Sequence, residues 1–169
     1  MLTLQKAGEI IEEAVNELAF PEKPEDLYDP ITYILSNGGK RIRPSLVLLT
    51  ANVYTNDYLK ALKPALGIEI FHNFTLLHDD LMDNSTIRRN KPTVHKKWDP
   101  NTAILSGDAM SIIANQYICK VEESILREVL DHFNQTAVQV CEGQMMDMDF
   151  ENRWDVTQDE YIKMIELKT

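Results

Sequence analysis

The chain has 169 residues, with 17 Lys+Arg against 27 Asp+Glu and a formal net charge of −10. That length suffices to bury one core, and the acid excess with no basic tract excludes a non-specific binder of nucleic acid or anionic membrane, which needs a positive field. No apolar run reaches the ~20 residues of a spanning helix, the acidic amphipathic N-terminus fits no targeting peptide, and Cys119 and Cys141 make neither a zinc site nor a disulfide framework, so a cytoplasmic protein without stable membrane insertion is expected.

Ala7, Ile10, Ile11, Ala14, Val15 and Leu18 recur at helical spacing, and Pro21 and Pro24 end that segment. Asp29-Pro30 reads as an N-cap with proline at the first helical position, opening a short helix that Asn37-Gly38-Gly39 closes. Pro44 starts an apolar helix to about Val53. Pro64 starts a longer one, in which Leu66, Ile70, Phe71 and Leu77 lead into His78-Asp79-Asp80. The polar, aperiodic stretch from Asn84 to Lys97 reads as a loop. Asp99-Pro100 reopens helix to about Val121, and Leu126–Phe150 continues the helical pattern. Nothing alternates with period two for long enough to predict a strand. Thr157 to Glu160 forms a capping box for a last helix. The chain then stops at Thr169 without a helix stop signal, so the sequence reads as severed inside that helix.

The chemistry concentrates in Leu77-His78-Asp79-Asp80-Leu81-Met82-Asp83. Asp79 and Asp83 are four residues apart and Asp80 and Asp83 three, so three carboxylates crowd one face at a helix C-terminus, where the dipole favours cations. A hard divalent cation bound through carboxylate and phosphate oxygens answers that need. A solvated acidic helix end is the plainer account, and the cations decide against it. Gly38-Gly39-Lys40-Arg41-Ile42-Arg43-Pro44 sets three positive side chains in a glycine-softened turn, a geometry suited to an oxyanion. Arg88 and Arg89 follow the acids. In a chain this acidic, cations grouped around carboxylates imply a polyanionic ligand bridged by metal. His72 lies two helical turns before Asp79 on a similar face.

GGKRIRP, LLHDDLMDNSTIRRNKPTVH, AILSGDA and Gly143-Gln144-Met145-Met146-Asp147, in that order, resemble the trans-isoprenyl diphosphate synthase (polyprenyl synthetase) family, in particular its farnesyl and geranylgeranyl diphosphate synthases. The resemblance implies an all-α isoprenoid-synthase-type bundle around a central cavity, Mg²⁺-dependent prenyl transfer and a homodimer. It implies that Lys40, Arg43 and His72, with Arg89, hold the diphosphate of isopentenyl diphosphate. Asp79 and Asp83, with Asp80 supporting, would bind the Mg²⁺ that clamps an allylic diphosphate, with Arg88 on the same group. Lys168-Thr169 matches the family's Lys-Thr pair, whose lysine approaches the allylic diphosphate. Gln144 and Asp147 align with a motif to which no role is assigned. Phe74 and Thr75, five and four residues before Asp79, lie about 7.5 and 6 Å below the metal end and would set chain length.

The family's second aspartate-rich motif is absent. Residues 1–169 are therefore expected to be the N-terminal portion of a single polyprenyl synthetase domain, inactive alone. A class I terpene cyclase and a non-catalytic subunit of a heteromeric synthase are the alternatives. The first has no need of the Lys40/Arg43/His72 anchor, and the second has no need to keep the acidic motif.

Overall fold

In the computed structural model, which describes residues 2–168, the chain divides into two compact units, Met1–Val121 and Glu122–Thr169. The first opens with helix α1 (Leu4–Asn16), where the Thr3 hydroxyl accepts from the Lys6 N–H and frees the helix of one unsatisfied donor. Ala7, Ile11 and Val15 recur every four residues and are buried.

Helix α2 (Glu25–Leu35) begins five residues before the proline-led start expected from Asp29-Pro30. Glu25 and Asp26 favour the positive end of the helix dipole, and Pro30, buried inside the helix, forgoes only the bond to the Asp26 carbonyl. Helix α3 (Ile42–Tyr54) carries Pro44 in its first turn. A short 3₁₀ turn (Tyr58–Ala61) leads into α4 (Leu62–Met82), the 21-residue helix that bears His72 and the aspartates.

The stretch after α4 is more ordered than the expected loop. Two-residue strands β1 (Ile87–Arg88) and β2 (Lys91–Pro92) pair antiparallel, and a single turn of helix, α5 (Val94–Lys97), follows. The strands are too short for alternation to register in the sequence. Arg89 and Asn90, at the hairpin turn, both take positive φ, 52° and 63°, as a tight two-residue connection demands. Helix α6 (Pro100–Ile118) starts where expected, with Asp99 accepting from the Asn101 and Thr102 N–H groups.

Ile11, Ile31, Leu48, Ile70, Leu77 and Met110, from α1, α2, α3, α4 and α6, are fully buried in one core. Each large aliphatic side chain buried this way contributes about 1.5–3 kcal/mol. Helices α4 and α6 approach closely at two glycines. A Cβ at Gly107 would stand 2.2 Å from His78 Nε2, and one at Gly67 would stand 3.0 Å from the Ala114 carbonyl oxygen. His78 thus packs over α6, its Nε2 3.3 Å from the Ile104 carbonyl.

The second unit comprises α7 (Glu123–Phe150) and α8 (Gln158–Lys168). The capping box forms as read: Glu160 N–H donates to Thr157 Oγ1 and Thr157 N–H donates to Glu160 Oε2. The Thr157 backbone and hydroxyl, with Arg153, pull the Glu160 carboxyl down to about 2. Among the described residues no helix is long and apolar enough to cross a membrane.

Candidate functional site: a cationic cavity and an acidic helix end

Between α2 and α3 the backbone turns through left-handed conformations, with φ 68° at Gly38, 154° at Gly39 and 47° at Arg41. Glycine takes these freely, whereas an L-residue costs about 1–2 kcal/mol. Arg41 is held there by three helices. Its Nε donates to Glu12 Oε2 on α1 (2.7 Å), its Nη1 to Glu69 Oε1 on α4 (2.5 Å) and its Nη2 to the Leu35 carbonyl at the end of α2 (2.8 Å). The side chain is 2% exposed. Burial works against the charge, but hydrogen bonds to Glu12 and Glu69 outweigh it and hold the guanidinium above its ordinary value.

Two cations of that turn, rather than three, are therefore available to an oxyanion. Lys40 and Arg43 are exposed and make no ion pair or side-chain hydrogen bond among the described residues. With Gly39, Arg41, Ile42, Glu69, His72 and Arg89 they line a cavity of about 490 Å³. Arg89 Nη1 donates to the Gly38 carbonyl, bracing the turn from the hairpin. Burial, then the charge of Arg43, with smaller contributions from Arg89 and Arg88, holds His72 below its ordinary 6.5, so its imidazole is neutral at pH 7.

At the C-terminal end of the same helix, Asp79 and Asp80 occupy the last turn and Asp83 the cap, its N–H donating to the Asp79 carbonyl (2.9 Å). Asp80 is 3% exposed. Arg88 Nε stands 2.8 Å from both its carboxylate oxygens, and Arg88 Nη2 donates to Asp79 Oδ2 at 3.3 Å. Burial nevertheless raises the Asp80 pKa above 3.8, exceeding the opposite effect of Arg88. Asp79 is partly exposed and Asp83 exposed. The hairpin thus sends adjacent arginines to different destinations, Arg88 to the acids and Arg89 to the cavity. Lys97 and Lys91 go elsewhere, standing over the Tyr33 ring at 3.8 and 5.8 Å.

Phe74 packs against Phe71 and edge-on to His78, with centroids 5.4 and 4.8 Å apart. The Thr75 hydroxyl donates to the His72 carbonyl, 2.8 Å away on its own helix. In the second unit Lys168 Nζ donates to Asp147 Oδ2 at 2.5 Å, and Gln144 Nε2 is buried without a hydrogen-bond partner among the described residues. Thr169 lies outside the described residues. Sequence reasoning missed Glu69 and Glu12. Glu69 was findable, because a carboxylate among the apolar Leu66, Ile70 and Leu77 needs a buried cation. Glu12 sits beside Glu9 and Glu13 on a polar flank and carries no such signal.

The polyprenyl synthetase family model matches residues 24–169. The chain is 42% identical over 161 residues to a geranylgeranyl diphosphate synthase of Methanosarcina mazei, an alignment covering 94% of this chain and 50% of that protein. It is 41% identical over 181 residues to a geranylfarnesyl diphosphate synthase of Natronomonas pharaonis, covering 95% and 52%. Among solved structures, a geranylgeranyl pyrophosphate synthetase from Geoglobus acetivorans superposes with a TM-score of 0.92 at 40% identity, covering 98% of this chain and 55% of that one. The chain spans about half the length of the curated relatives it matches. The expected all-α fold and family therefore stand: this chain belongs to the polyprenyl synthetase family.

Proposed function

We propose that the protein condenses isopentenyl diphosphate with an allylic diphosphate to give a short-chain trans-polyprenyl diphosphate, farnesyl or geranylgeranyl. The observation that carries this reading is the pairing of two anion sites on α4, a cationic cavity around His72 and a carboxylate cluster at Asp79, seven residues or about 10 Å along the axis. Two diphosphates, one bound by cations and one through metal, fit that pair.

In this reading Lys40, Arg43, His72 and Arg89 bind the diphosphate of isopentenyl diphosphate. Arg88, already beside Asp79 and Asp80, meets the allylic diphosphate. The carboxylates fit Mg²⁺: they are hard oxygen donors one helical turn apart, and Mg²⁺ takes one or two protein carboxylates together with substrate phosphates and water. Held by Asp79 and Asp83 with Asp80 in support, Mg²⁺ would supply positive charge against the leaving diphosphate. The allylic C–O bond breaks to a carbocation and pyrophosphate, and the double bond of isopentenyl diphosphate supplies the electron pair of the new C–C bond. A proton then leaves the adjacent carbon, with the departing pyrophosphate as acceptor, and a new double bond forms. No protein nucleophile is needed. Arg88 and the cavity cations stabilise charge on phosphate oxygens, and apolar surroundings keep water from the cation.

Phe74 is the proposed partial floor for the growing chain, and Thr75 lies beside it. Lys168 and Thr169, which match the family's Lys-Thr pair, are assigned to the allylic diphosphate in this reading, and Asp147 holds Lys168 within their own unit. Residues 1–169 are the N-terminal portion of one synthetase domain, a reading supported by the half-length coverage of relatives. The enzyme is cytoplasmic and a homodimer, and the exposed Leu105 and Ile112, seven residues apart on α6, are a face for a second copy.

The test is incubation of the complete protein with isopentenyl diphosphate, an allylic diphosphate and Mg²⁺. An elongated diphosphate is expected, with the rate reduced at least about 10²-fold in Asp79→Ala. Absence of product, or an undiminished Asp79→Ala rate, overturns the reading. A product from the allylic diphosphate alone marks a cyclase.

A further inference from the structure

Arg41 lines the cationic cavity, but each of its three guanidinium nitrogens already donates to a protein acceptor. Those acceptors lie on three different helices, so one buried side chain ties α1, the end of α2 and α4 to the turn carrying Lys40 and Arg43. The turn needs such a tie, because Arg41 itself has a left-handed backbone that no glycine relieves. Glu69 is shared further: its Oε1 accepts from Asn73 Nδ2 at 2.9 Å, and it lies three residues before His72 on α4. Glu12 lies on α1, upstream of the matched residues 24–169, with a side chain 44% exposed.

We propose that Glu12, acting through Arg41 together with Glu69, is a positioning residue for the diphosphate site: it clamps the turn so that Lys40 and Arg43 stand on the same cavity as His72, and Arg41 is a strut rather than an anion ligand. The inference rests on the reading of that cavity as a diphosphate site. It assigns α1 a part in substrate binding through one carboxylate that touches no substrate.

The sign of the effect separates positioning from simple charge. Neutralising a carboxylate near a cationic cavity strengthens anion binding if Coulomb attraction alone operates. Loss of the clamp weakens it, because displaced ligands lose affinity steeply with distance. The experiment is calorimetric titration of inorganic pyrophosphate into the full chain and into Glu12→Gln, Glu12→Asp and Lys40→Ala, with thermal unfolding of each. Glu12→Gln is expected to bind about tenfold more weakly while remaining folded at the titration temperature, and Glu12→Asp to recover part of that affinity. In the complete enzyme, KM for isopentenyl diphosphate rises in Glu12→Gln while KM for the allylic substrate holds. Glu12→Gln binding that is unchanged or tighter, with Lys40→Ala binding lost, overturns the clamp alone. No pyrophosphate binding, or binding insensitive to Lys40→Ala, overturns the cavity reading and the clamp with it.

Discussion

The cationic turn and the acidic helix end have the same layout: a flanking charge, a central buried charge, and a second flanking charge. Lys40, Arg41 and Arg43 stand on one side, Asp79, Asp80 and Asp83 on the other, and in each trio the central residue turns inward onto opposite charge. Energetically the two differ. The charged form of Arg41 is favoured by its surroundings, whereas burial disfavours the charged form of Asp80 even beside Arg88. The charge of Arg41 therefore stabilises the fold, whereas Asp80 is charged at a cost to it. The supports differ as well. The carboxylates take their spacing from helix periodicity, which persists whatever the side chains, whereas the cations depend on a strained loop that only tertiary contacts hold.

The largest effect should come from breaking the cationic trio at its centre. Arg41→Met leaves Glu69, 3% exposed, without its cation, and is expected to cost about 3–5 kcal/mol in urea unfolding. A loss under about 1 kcal/mol would erase the contrast. A smaller effect of opposite sense is expected at the acidic centre. With a folded-state pKa above the ordinary 3.8, ionised Asp80 is worse off folded than unfolded, so its contribution to stability is greatest below pH 3.8 and declines as pH rises through the raised value. Asp80→Asn should then be as stable as the parent at pH 7, or up to about 1 kcal/mol more stable, the difference shrinking towards pH 4. Partly exposed Arg88 keeps Asp79 and water.

The smallest effect concerns His72. Its imidazole is neutral in the free chain because burial and Arg43 depress its pKa below 6.5, but a bound diphosphate favours the imidazolium. Pyrophosphate binding should take up a proton, so affinity rises as pH falls from 7.5 to 5.5. The rise should be about two- to fivefold greater in the parent than in His72→Asn, a comparison that cancels the titration of pyrophosphate itself. Equal pH profiles would remove His72 from the anion site.

Legibility in the sequence followed the range of the forces. Helix α6 was readable to its first residue because Asp99-Pro100 is a local signal, and the Thr157 capping box because both partners lie within four residues. The start of α2 was misplaced because Asp29-Pro30 looks like a start while Glu25 and Asp26 make the real one. The β1–β2 hairpin was invisible because strands of two residues have no period. At the site, the acidic trio was plain because one helix carries it. The cationic turn was seen as three equal charges, since nothing local distinguishes Arg41 from Lys40. The distinction arises from Glu12 and Glu69, 29 and 28 residues away.

The two glycines at the α4–α6 contact bear on how the site can respond to a change of charge. With His78 seated on Gly107 at one end and Gly67 against Ala114 and Ile118 at the other, the helix bearing the aspartates is gripped along its length like a rail fixed at both ends. Sliding or tilting it would drive side chains into backbone. The hairpin is held by polar contacts instead: it is one pair of two-residue strands, tied by Thr93 to Ser85, Lys96 to Asn84, the Tyr33 hydroxyl to the Pro92 carbonyl, and Arg88 and Arg89 themselves to the acids and to Gly38. Arg88 and Arg89 thus ride on the more yielding element and the carboxylates on the stiffer one. The least costly adjustment to a change of charge is therefore a shift of the hairpin with Arg88 and Arg89, about carboxylates that stay in place.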